Sequence, residues 1–470
     1  MAEFGKSLTA SETPIPGMLV FELPVHGDSR GWFKENWQRE KMAAAGLPDF
    51  GPVQNNISFN DAVGTTRGIH AEPWDKWVSV ATGRIFGAWV DLREGPSFGT
   101  VFTAELDASR AIFVPRGVGN SYQTLEPDTA YTYLVNDHWS PDASYSFLNL
   151  ADETAAIEWP IPLREAEISA KDRGHPRLTE AVPVPARKVL VVGANGQLGI
   201  ALREQFAGAS HVEFASRAEL DLTDPQLPFL RRWRDYGTII NASAYTAVDA
   251  AETADGRRAA WAANVSGVAA LARVAAEHGI TLVHVSSDYV FDGTLQRAYR
   301  EDDALAPLGV YGQTKAAADA VVASLARHYI VRTSWVVGGG KNFVRTMAAL
   351  AERGVDPDVV EDQVGRLTFT ADIAGCIRHL LESGAPFGIY NMTGSGAATS
   401  WADVARRVFE LKGHDPARVT GVSTAAYFAG AAAPVAPRPA NSVLDLSKIE
   451  RTGYAPRSAD ATLAEYLTRD

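Results

Sequence analysis

The chain has 470 residues, 44 basic against 56 acidic side chains and a net charge of −12. That length exceeds what one hydrophobic core usually holds, so two domains are expected, and an acidic balance without long like-charge runs argues against nucleic acid and anionic membrane as partners. The single cysteine, Cys376, excludes an intramolecular disulfide and a thiolate metal cluster; with no signal-like N-terminus and no apolar run read as long enough to span a bilayer, a cytoplasmic protein is expected.

Residues 1–178 read as all-β. Short apolar and aromatic runs at 20–23, 53–59, 77–81, 85–92, 101–106, 111–114 and 130–135 recur mostly at intervals of about ten residues, split by Gly, Pro, Asn and Asp. Helical periodicity is confined to 37–45. Strands in this number close into two sheets around an interior pocket, which predicts a jelly-roll barrel. Within it, Arg67-Gly-Ile-His70, Lys76 and, much later, Asp172 carry chemistry. A neutral imidazole held by a carboxylate suits removal of a proton beside a carbonyl, and a nearby ammonium can stabilise the resulting enolate. The competing reading is a histidine packed in the interior with no such role. A cupin-type metal site needs several clustered His and Glu ligands; this stretch offers only His70 and Glu72, so no metal is expected.

A proline-bearing stretch without periodicity follows, and 179–186 is expected to be a linker, with a second domain over 187–470. That domain opens on Lys188-Val-Leu-Val-Val-Gly-Ala-Asn-Gly-Gln-Leu-Gly199, a buried-strand pattern running into three glycines, Gly193, Gly196 and Gly199, at the spacing of a nucleotide-binding turn. Glycine permits the turn and leaves room, and free N–H groups at the following helix start attract a pyrophosphate. Strands at 212–215, 238–241, 281–286 and 329–332 then alternate with helices from Gln197, around 261–278 and from Gln313 to about His328. This alternation predicts a Rossmann-type doubly wound parallel sheet, completed by a small C-terminal substrate-binding part. Arg217, after the second strand, leans toward the extra phosphate of NADPH rather than NADH, against the reading of a solvated surface arginine; Asp221 and Leu222 could meet the adenine.

Tyr311-Gly-Gln-Thr-Lys315 is the catalytic signal of this half. Four residues apart on a helix, phenol and ammonium share a face, and the ammonium is expected to draw the phenol down from its ordinary value near 10. Ser287, at the end of the strand before it, could hold a substrate oxygen beside Tyr311. The alternative is an exposed Tyr/Lys pair without function.

Several dispersed motifs, taken in order, make the first part resemble the dTDP-4-dehydrorhamnose 3,5-epimerase family. They are Asp28-Ser-Arg-Gly-Trp-Phe-Lys-Glu35, Gln54-Asn-Asn-Ile-Ser58, Thr66-Arg-Gly-Ile-His70, Lys76, Val90-Asp-Leu-Arg93 and Lys171-Asp172. The resemblance implies a metal-free, cupin-like jelly roll forming a homodimer, acting on a dTDP-4-keto-6-deoxy sugar. It makes His70 the base, Asp172 its partner and Lys76 the enolate stabiliser, with Arg30, Glu35, Gln54, Asn56 and Arg67 on the nucleotide or its diphosphate. Two positions depart from the pattern: Trp139 stands where the family carries its proton-donating tyrosine, and Asn120 where it usually has histidine. Three readings stay open: reprotonation by Tyr133, Tyr122 or water, epimerisation at C3 alone, or a domain without catalysis.

The second part resembles the extended short-chain dehydrogenase/reductase family and, more closely, its dTDP-4-dehydrorhamnose reductase branch. The words carrying this are the glycine turn, Asn241-Ala-Ser-Ala-Tyr-Thr-Ala-Val-Asp249, Ser286-Ser-Asp-Tyr-Val-Phe-Asp-Gly293, Tyr311-Gly-Gln-Thr-Lys315, Arg332-Thr-Ser-Trp335, Asp362-Gln-Val-Gly-Arg366 and Arg438-Pro-Ala-Asn-Ser442. The resemblance implies reduction of a C4 ketone by NADPH or NADH with Ser287, Tyr311 and Lys315 as the triad. The dinucleotide would rest on Gly193, Asn195, Gly196, Gln197, Leu198, Gly199, Arg217, Asp221, Leu222, Ala242, Ala244, Tyr311 and Lys315. Thr246, Val248, Trp335 and Arg366 would line the sugar nucleotide site. Some family members hold magnesium between subunits, so a magnesium ion is admitted with no ligands assigned. The whole chain then reads as two consecutive steps toward dTDP-L-rhamnose.

Overall fold

The ten-residue cadence of apolar runs in the first half builds a two-sheet barrel. The computed structural model describes residues 5–138, 145–431 and 434–468, and the chain divides into two units, residues 1–186 and 187–470. In the first unit the strands are β1 (Thr9–Glu12), β2 (Leu19–Glu22), β3 (Val25–Asp28), β4 (Gly31–Lys34), β5 (Gln54–Asn60), β6 (Thr66–Ala71), β7 (Lys76–Thr82), β8 (Ile85–Asp91), β9 (Val101–Leu106), β10 (Arg110–Val114), β11 (Val118–Thr124), β12 (Thr129–Val135) and β13 (Ser146–Phe147), with helices α1 (Arg39–Ala44) and α2 (Ala170–Arg173). One sheet runs β1-β2-β10-β7-β12-β5, the other β13-β6-β11-β8-β9, and β3 pairs with β4 as a separate hairpin. Between the sheets Val78, Val80, Trp89, Ile112, Tyr122 and Tyr131 form the core.

The seven expected strands are present, each within two residues of its predicted bounds. β11 was not among them. Its Gly-Asn-Ser-Tyr-Gln-Thr sequence lacks an apolar pattern, yet all seven of its residues are buried. Side-chain bonds make that burial tolerable: Ser121 Oγ donates to Ala88 O at 2.6 Å, and Gln123 Nε2 donates to Thr66 Oγ1 at 3.0 Å and Ile161 O at 2.9 Å. Val184, inside the expected linker, exchanges backbone hydrogen bonds with Leu92 and Glu94, so that stretch stays tied to the barrel.

In the second unit the order is β14 (Lys188–Val192), α3 (Gln197–Gln205), β15 (Val212–Ala215), β16 (Tyr236–Asn241), α4 (Ala254–Trp261), α5 (Gly267–Glu277), β17 (Thr281–Ser287), α6 (Val310–Ala323), β18 (His328–Thr333), α7 (Phe343–Glu352), α8 (Thr370–Glu382), a strand Gly388–Asn391 and α9 (Trp401–Leu411). The sheet runs β15-β14-β16-β17-β18 and ends on Gly388–Asn391, with every pairing parallel. Strand order reverses at β14, so a ligand crevice lies at the carboxyl ends of β14 and β16. α5 and α6 cover one face through Leu271, Val274, Ala318 and Val322; α3 and α8 cover the other through Leu202, Ile373, Ile377 and Leu380. α7, α9 and the terminal helix Ala459–Thr468 form a third cluster, with Val344, Met347, Val408, Phe409 and Leu463 at its centre.

Two sequence expectations are corrected here. The helix expected to reach about His328 stops at Ala323, because His328 already opens β18 and the connection between them needs the intervening residues. The reading that no apolar run could span a bilayer also fails by length, since 254–277 is one helical run of 24 residues. It nonetheless packs as a core helix, with Ala260, Val268, Leu271 and Val274 buried and a π-turn at Ala262–Ser266.

Candidate active sites

In the barrel, β6 presents His70, and its neighbour across the sheet is β11, with Asn120 opposite His70. Gly68 lets this approach happen: its φ is +121°, and a Cβ there would lie 2.5 Å from Ser121 Cβ. Asp172 arrives from α2, whose Ser169 Oγ accepts from the Asp172 N–H at 3.0 Å. Its carboxylate accepts from Gly68 N at 3.3 Å and stands 3.0 Å from His70 Nε2. That contact places a proton on Nε2 and leaves Nδ1 with the free lone pair of a base. Burial pulls the His70 imidazole below its ordinary value; Asp172 opposes this, while His175 and Lys76 add to it, so the neutral form persists at pH 7.

Lys76 opens β7, is 4 % exposed, is paired with Glu72 and lies 5.5 Å from the Tyr133 ring centroid. Burial draws its ammonium down to about 7, with the Glu72 carboxylate in contact. Gln54, Asn56, Ser58 and Asn60 alternate along β5 on its less exposed face. Gln54 Nε2 donates to Asn56 Oδ1 at 2.9 Å, and Arg67 Nε reaches from β6 to Asn60 Oδ1 at 3.1 Å, which brings Gln54, Asn56 and Arg67 to one polar wall.

Arg30 and Glu35 are not brought to this wall. Arg30 lies in the turn of the β3–β4 hairpin and Glu35 just after it, and among the described strands that hairpin pairs with itself; Arg30 bonds Asp28 with its side chain 88 % exposed, and Glu35 pairs with Lys41. Tyr122 is deeply buried, and its hydroxyl donates to Ser58 Oγ at 2.9 Å and approaches Asn60 Oδ1 at 3.3 Å. Tyr133 is half-buried beside Lys76, and burial pushes its phenol up. Asn120 Oδ1 accepts from Trp89 Nε1 at 2.8 Å and Tyr131 Oη at 3.0 Å, so this departure from the family pattern is a wedge in a buried network. Trp139 lies outside the described residues.

Sequence reasoning missed His175 and Phe147. His175 Nε2 lies 3.7 Å from the same Asp172 oxygen, and its ring stacks on Phe147 with centroids 4.7 Å apart. His70, Asp172 and His175 thus bring ligand-type atoms within 4.8 Å of one another, a set that neighbours of His70 in sequence could not disclose. His175 follows Asp172 by three residues, a spacing that was the one available signal.

In the second unit Gly193 has φ +84°, and a Cβ there would meet Ser243 N at 2.8 Å; one on Gly199 would meet Gly193 O at 2.3 Å. The N-cap of α3 is Gly196, with no side-chain cap, so its first N–H groups face outward from an open cradle. Asn195 and Gly196 are exposed and Gln197 half-buried, whereas Leu198 is core, offering a ligand only its backbone. This cradle fits a dinucleotide pyrophosphate. Ala242 continues β16 by donating its N–H to Val192 O at 3.0 Å, and Ala244 is exposed beyond it. Arg217 is exposed and bonds Asp221 Oδ2 at 3.1 Å, while Leu222 is buried at the sheet edge. Thr246 is exposed and Val248 half-buried; Trp335 stacks on Trp401 at 3.8 Å, and Arg366 donates to Leu444 O at 3.1 Å.

Ser287 ends β17, and its hydroxyl donates to Asp288 Oδ1 at 2.9 Å. The Ser287 side chain also favours ionisation of the Tyr311 phenol. Lys315, one turn along α6, is 2 % exposed; its Nζ donates to Val285 O at 2.7 Å and meets His284 Nε2 at 3.1 Å. The expected acidification of Tyr311 is corrected: burial pushes the phenol well above its ordinary range, Asp288 adds to this, and Ser287 is the group that opposes it. The Lys315 head turns to His284 and Val285, so it does not offset this burial. A protonated phenol is the form a ketone reduction consumes. Burial also holds Lys315 down to about 8. Asn264, carried by the π-turn, accepts from Tyr245 N at 2.8 Å and donates to Thr314 Oγ1 at 3.0 Å, pinning the loop after β16 to α6; no sequence pattern announced it.

Two family descriptions match this chain: dTDP-4-dehydrorhamnose 3,5-epimerase over residues 12–180, and RmlD substrate binding domain over 187–470. The RmlC homolog of Streptococcus pyogenes is 49 % identical over 189 residues, covering 38 % of this chain and 95 % of that protein. The dTDP-4-dehydrorhamnose reductase of Mycolicibacterium smegmatis is 36 % identical over 293 residues, covering 61 % of this chain and 86 % of that protein. The crystal structure of dTDP-4-dehydrorhamnose reductase from Bacillus anthracis in complex with NADP superposes with a TM-score of 0.55 at 30 % identity, covering 60 % of this chain and 99 % of that one. A barrel that holds an imidazole on a carboxylate, followed by a parallel sheet that aligns serine, tyrosine and lysine beside a glycine cradle, makes this chain a member of both the dTDP-4-dehydrorhamnose 3,5-epimerase and the dTDP-4-dehydrorhamnose reductase families.

Proposed function

We propose that the chain converts dTDP-4-keto-6-deoxyglucose to dTDP-L-rhamnose in two consecutive steps. It is a bifunctional enzyme of that route, with an epimerase in the first unit and a reductase in the second. His70 Nδ1 removes the proton beside the C4 ketone, with Asp172 on Nε2 holding the ring, and the Lys76 ammonium stabilises the enolate oxygen. Tyr133 returns a proton from the other side; Tyr122 is the poorer candidate because its hydroxyl is already engaged by Ser58 and Asn60. Gln54, Asn56 and Arg67 hold the nucleotide, and Arg30 and Glu35 are left without a role in their own barrel.

In the second unit Ser287 holds the C4 oxygen, Tyr311 donates the proton that completes the alcohol, and Lys315 supports Tyr311. The glycine cradle and Arg217 hold NADPH, whose nicotinamide supplies the hydride when bound. Thr246, Val248, Trp335 and Arg366 line the sugar nucleotide side. Domain limits of 1–178 and 187–470 joined by 179–186, a cytoplasmic location, and a homodimer through the jelly roll belong to the same proposal. The exposed Ile57 and Phe59 on the outer face of β5, with Val53 just before it, support the dimer. No metal is included.

The observation that carries the proposal is the 3.0 Å His70–Asp172 contact on the same chain as the Ser287, Tyr311 and Lys315 cluster. Incubation with dTDP-4-keto-6-deoxyglucose and NADPH in deuterated water tests it by NMR of the product. The expected product is dTDP-L-rhamnose with deuterium at C3 and C5. Label at C3 alone replaces the assignment by single-carbon epimerisation, and a reduced product without label removes the epimerase.

A further inference from the structure

Behind Lys315 runs a row of buried polar groups that the reaction as described leaves unused. His284 in β17 and Asn241 at the end of β16 face each other across the sheet, both fully buried. Lys315 Nζ lies 3.1 Å from His284 Nε2, and His284 Nδ1 lies 3.2 Å from Asn241 Nδ2. Asn241 Oδ1 accepts from Ser243 N at 3.1 Å and from Ser243 Oγ at 2.7 Å.

One backbone donor fixes the protons of this row. A backbone N–H only donates, so Ser243 settles which end of the Asn241 carboxamide is oxygen. The amide nitrogen therefore faces His284, Nδ1 must accept, and the single proton of the neutral ring sits on Nε2, toward the lysine. An amine lone pair can accept that proton's hydrogen bond; an ammonium cannot. With Lys315 charged the row holds one hydrogen too many, and with Lys315 neutral every contact is satisfied.

We propose that His284 is a positioning residue for the reduction, holding Lys315 by an Nε2–H···N hydrogen bond that favours release of a lysine proton. The proposal rests on the reading that Lys315 supports Tyr311. When Tyr311 has given its proton to the substrate oxygen, one N–H bond of the Lys315 ammonium breaks and, relayed through a bridging water that gives up one proton as it takes another, the Tyr311 O–H bond re-forms. The amine left behind is the state His284 bonds, and solvent water later returns the proton. Of the other titratable groups, Asp319 on the same helix acts on Lys315 and is paired with Arg332 of β18 at 2.9 Å, while Asp288 and Asp319 act on Tyr311. Of these, Asp319 favours the ammonium, so His284 is the group positioned to oppose it.

Histidine-selective 15N labelling of the full chain reads the tautomer directly, with the His284 signals assigned by their loss in His284→Gln. The expected spectrum has the proton on Nε2; a proton on Nδ1 overturns the proposal. Asn241→Asp then offers Ser243 one oxygen and His284 the other, moving the ring proton to Nδ1 and letting Nε2 accept from the ammonium. The alkaline limb of ketone reduction, measured on already epimerised substrate, is expected to rise by about one pH unit. His284→Gln, able to turn its side-chain oxygen to the ammonium, should move the limb in the same direction. An unmoved limb in either folded variant overturns the proposal. Full reduction rate in Tyr311→Phe would remove the underlying catalytic reading while leaving the tautomer result standing.

Discussion

Both units bury a lysine beside the group that moves a proton, and the companions of the two lysines differ. Lys76 is paired with the Glu72 carboxylate and lies against the Tyr133 ring, whereas Lys315 meets a backbone carbonyl and a neutral imidazole. Desolvation lowers both, to about 7 and about 8. The carboxylate contact favours the ammonium that enolate stabilisation uses, and the ring N–H contact favours the amine that proton supply leaves behind, while burial still sets Lys76 the lower of the two. One residue type thus serves two chemistries through its neighbours.

The largest effect should come from His70→Ala, expected to slow C–H exchange in deuterated water by about 10³-fold or more while reduction of already epimerised substrate keeps its rate. Retained exchange would end the comparison, since the barrel lysine would then serve no base. Tyr311→Phe should cut ketone reduction about 10²- to 10³-fold with NADPH still bound and with exchange in the barrel untouched. A matching fall in exchange would show that the two units do not act separately.

The lysines themselves predict a smaller, ordered difference in pH dependence. Each has a folded value depressed below the ordinary lysine range, so raising pH removes the ammonium earlier than in a free side chain. Exchange should begin to fall above about pH 7 and reduction above about pH 8. On the acid side, exchange should persist below the ordinary histidine value because burial lowers His70. Separate pH profiles of exchange and of NADPH oxidation check this; coincident or reversed alkaline limbs would contradict the assignment of the two lysines.

The reductase unit was the more legible of the two. Its sheet follows continuous apolar runs, and its triad sits where a strand ends and a helix begins, so Ser287, Tyr311 and Lys315 are found by spacing along the chain. The barrel writes its site in long-range pairs. β11 escaped because its buried residues are polar and satisfied by partners on other strands. His175 escaped because its neighbour Phe147 comes from a two-residue strand. The direction of the Tyr311 shift was misjudged because an i, i+4 spacing fixes which face a lysine shares and says nothing of where its head turns. The same limit hid His284: a histidine inside an apolar strand reads as packing until Asn241 and Ser243 are seen beside it.

The smallest expected effect concerns the cofactor. Arg217 is exposed and its present partner is Asp221, so a ribose phosphate would have to draw the guanidinium from a carboxylate that already satisfies part of it. A charge-assisted bond at so open a position gains little net energy, because water screens it and the competing ion pair is lost. Arg217→Ala should therefore raise the KM for NADPH only about tenfold or less, leave kcat alone and leave the KM for NADH unchanged. Equal rises for both nucleotides would move Arg217 from phosphate recognition to support of the Asp221 loop, and no change for either would return it to the solvated surface.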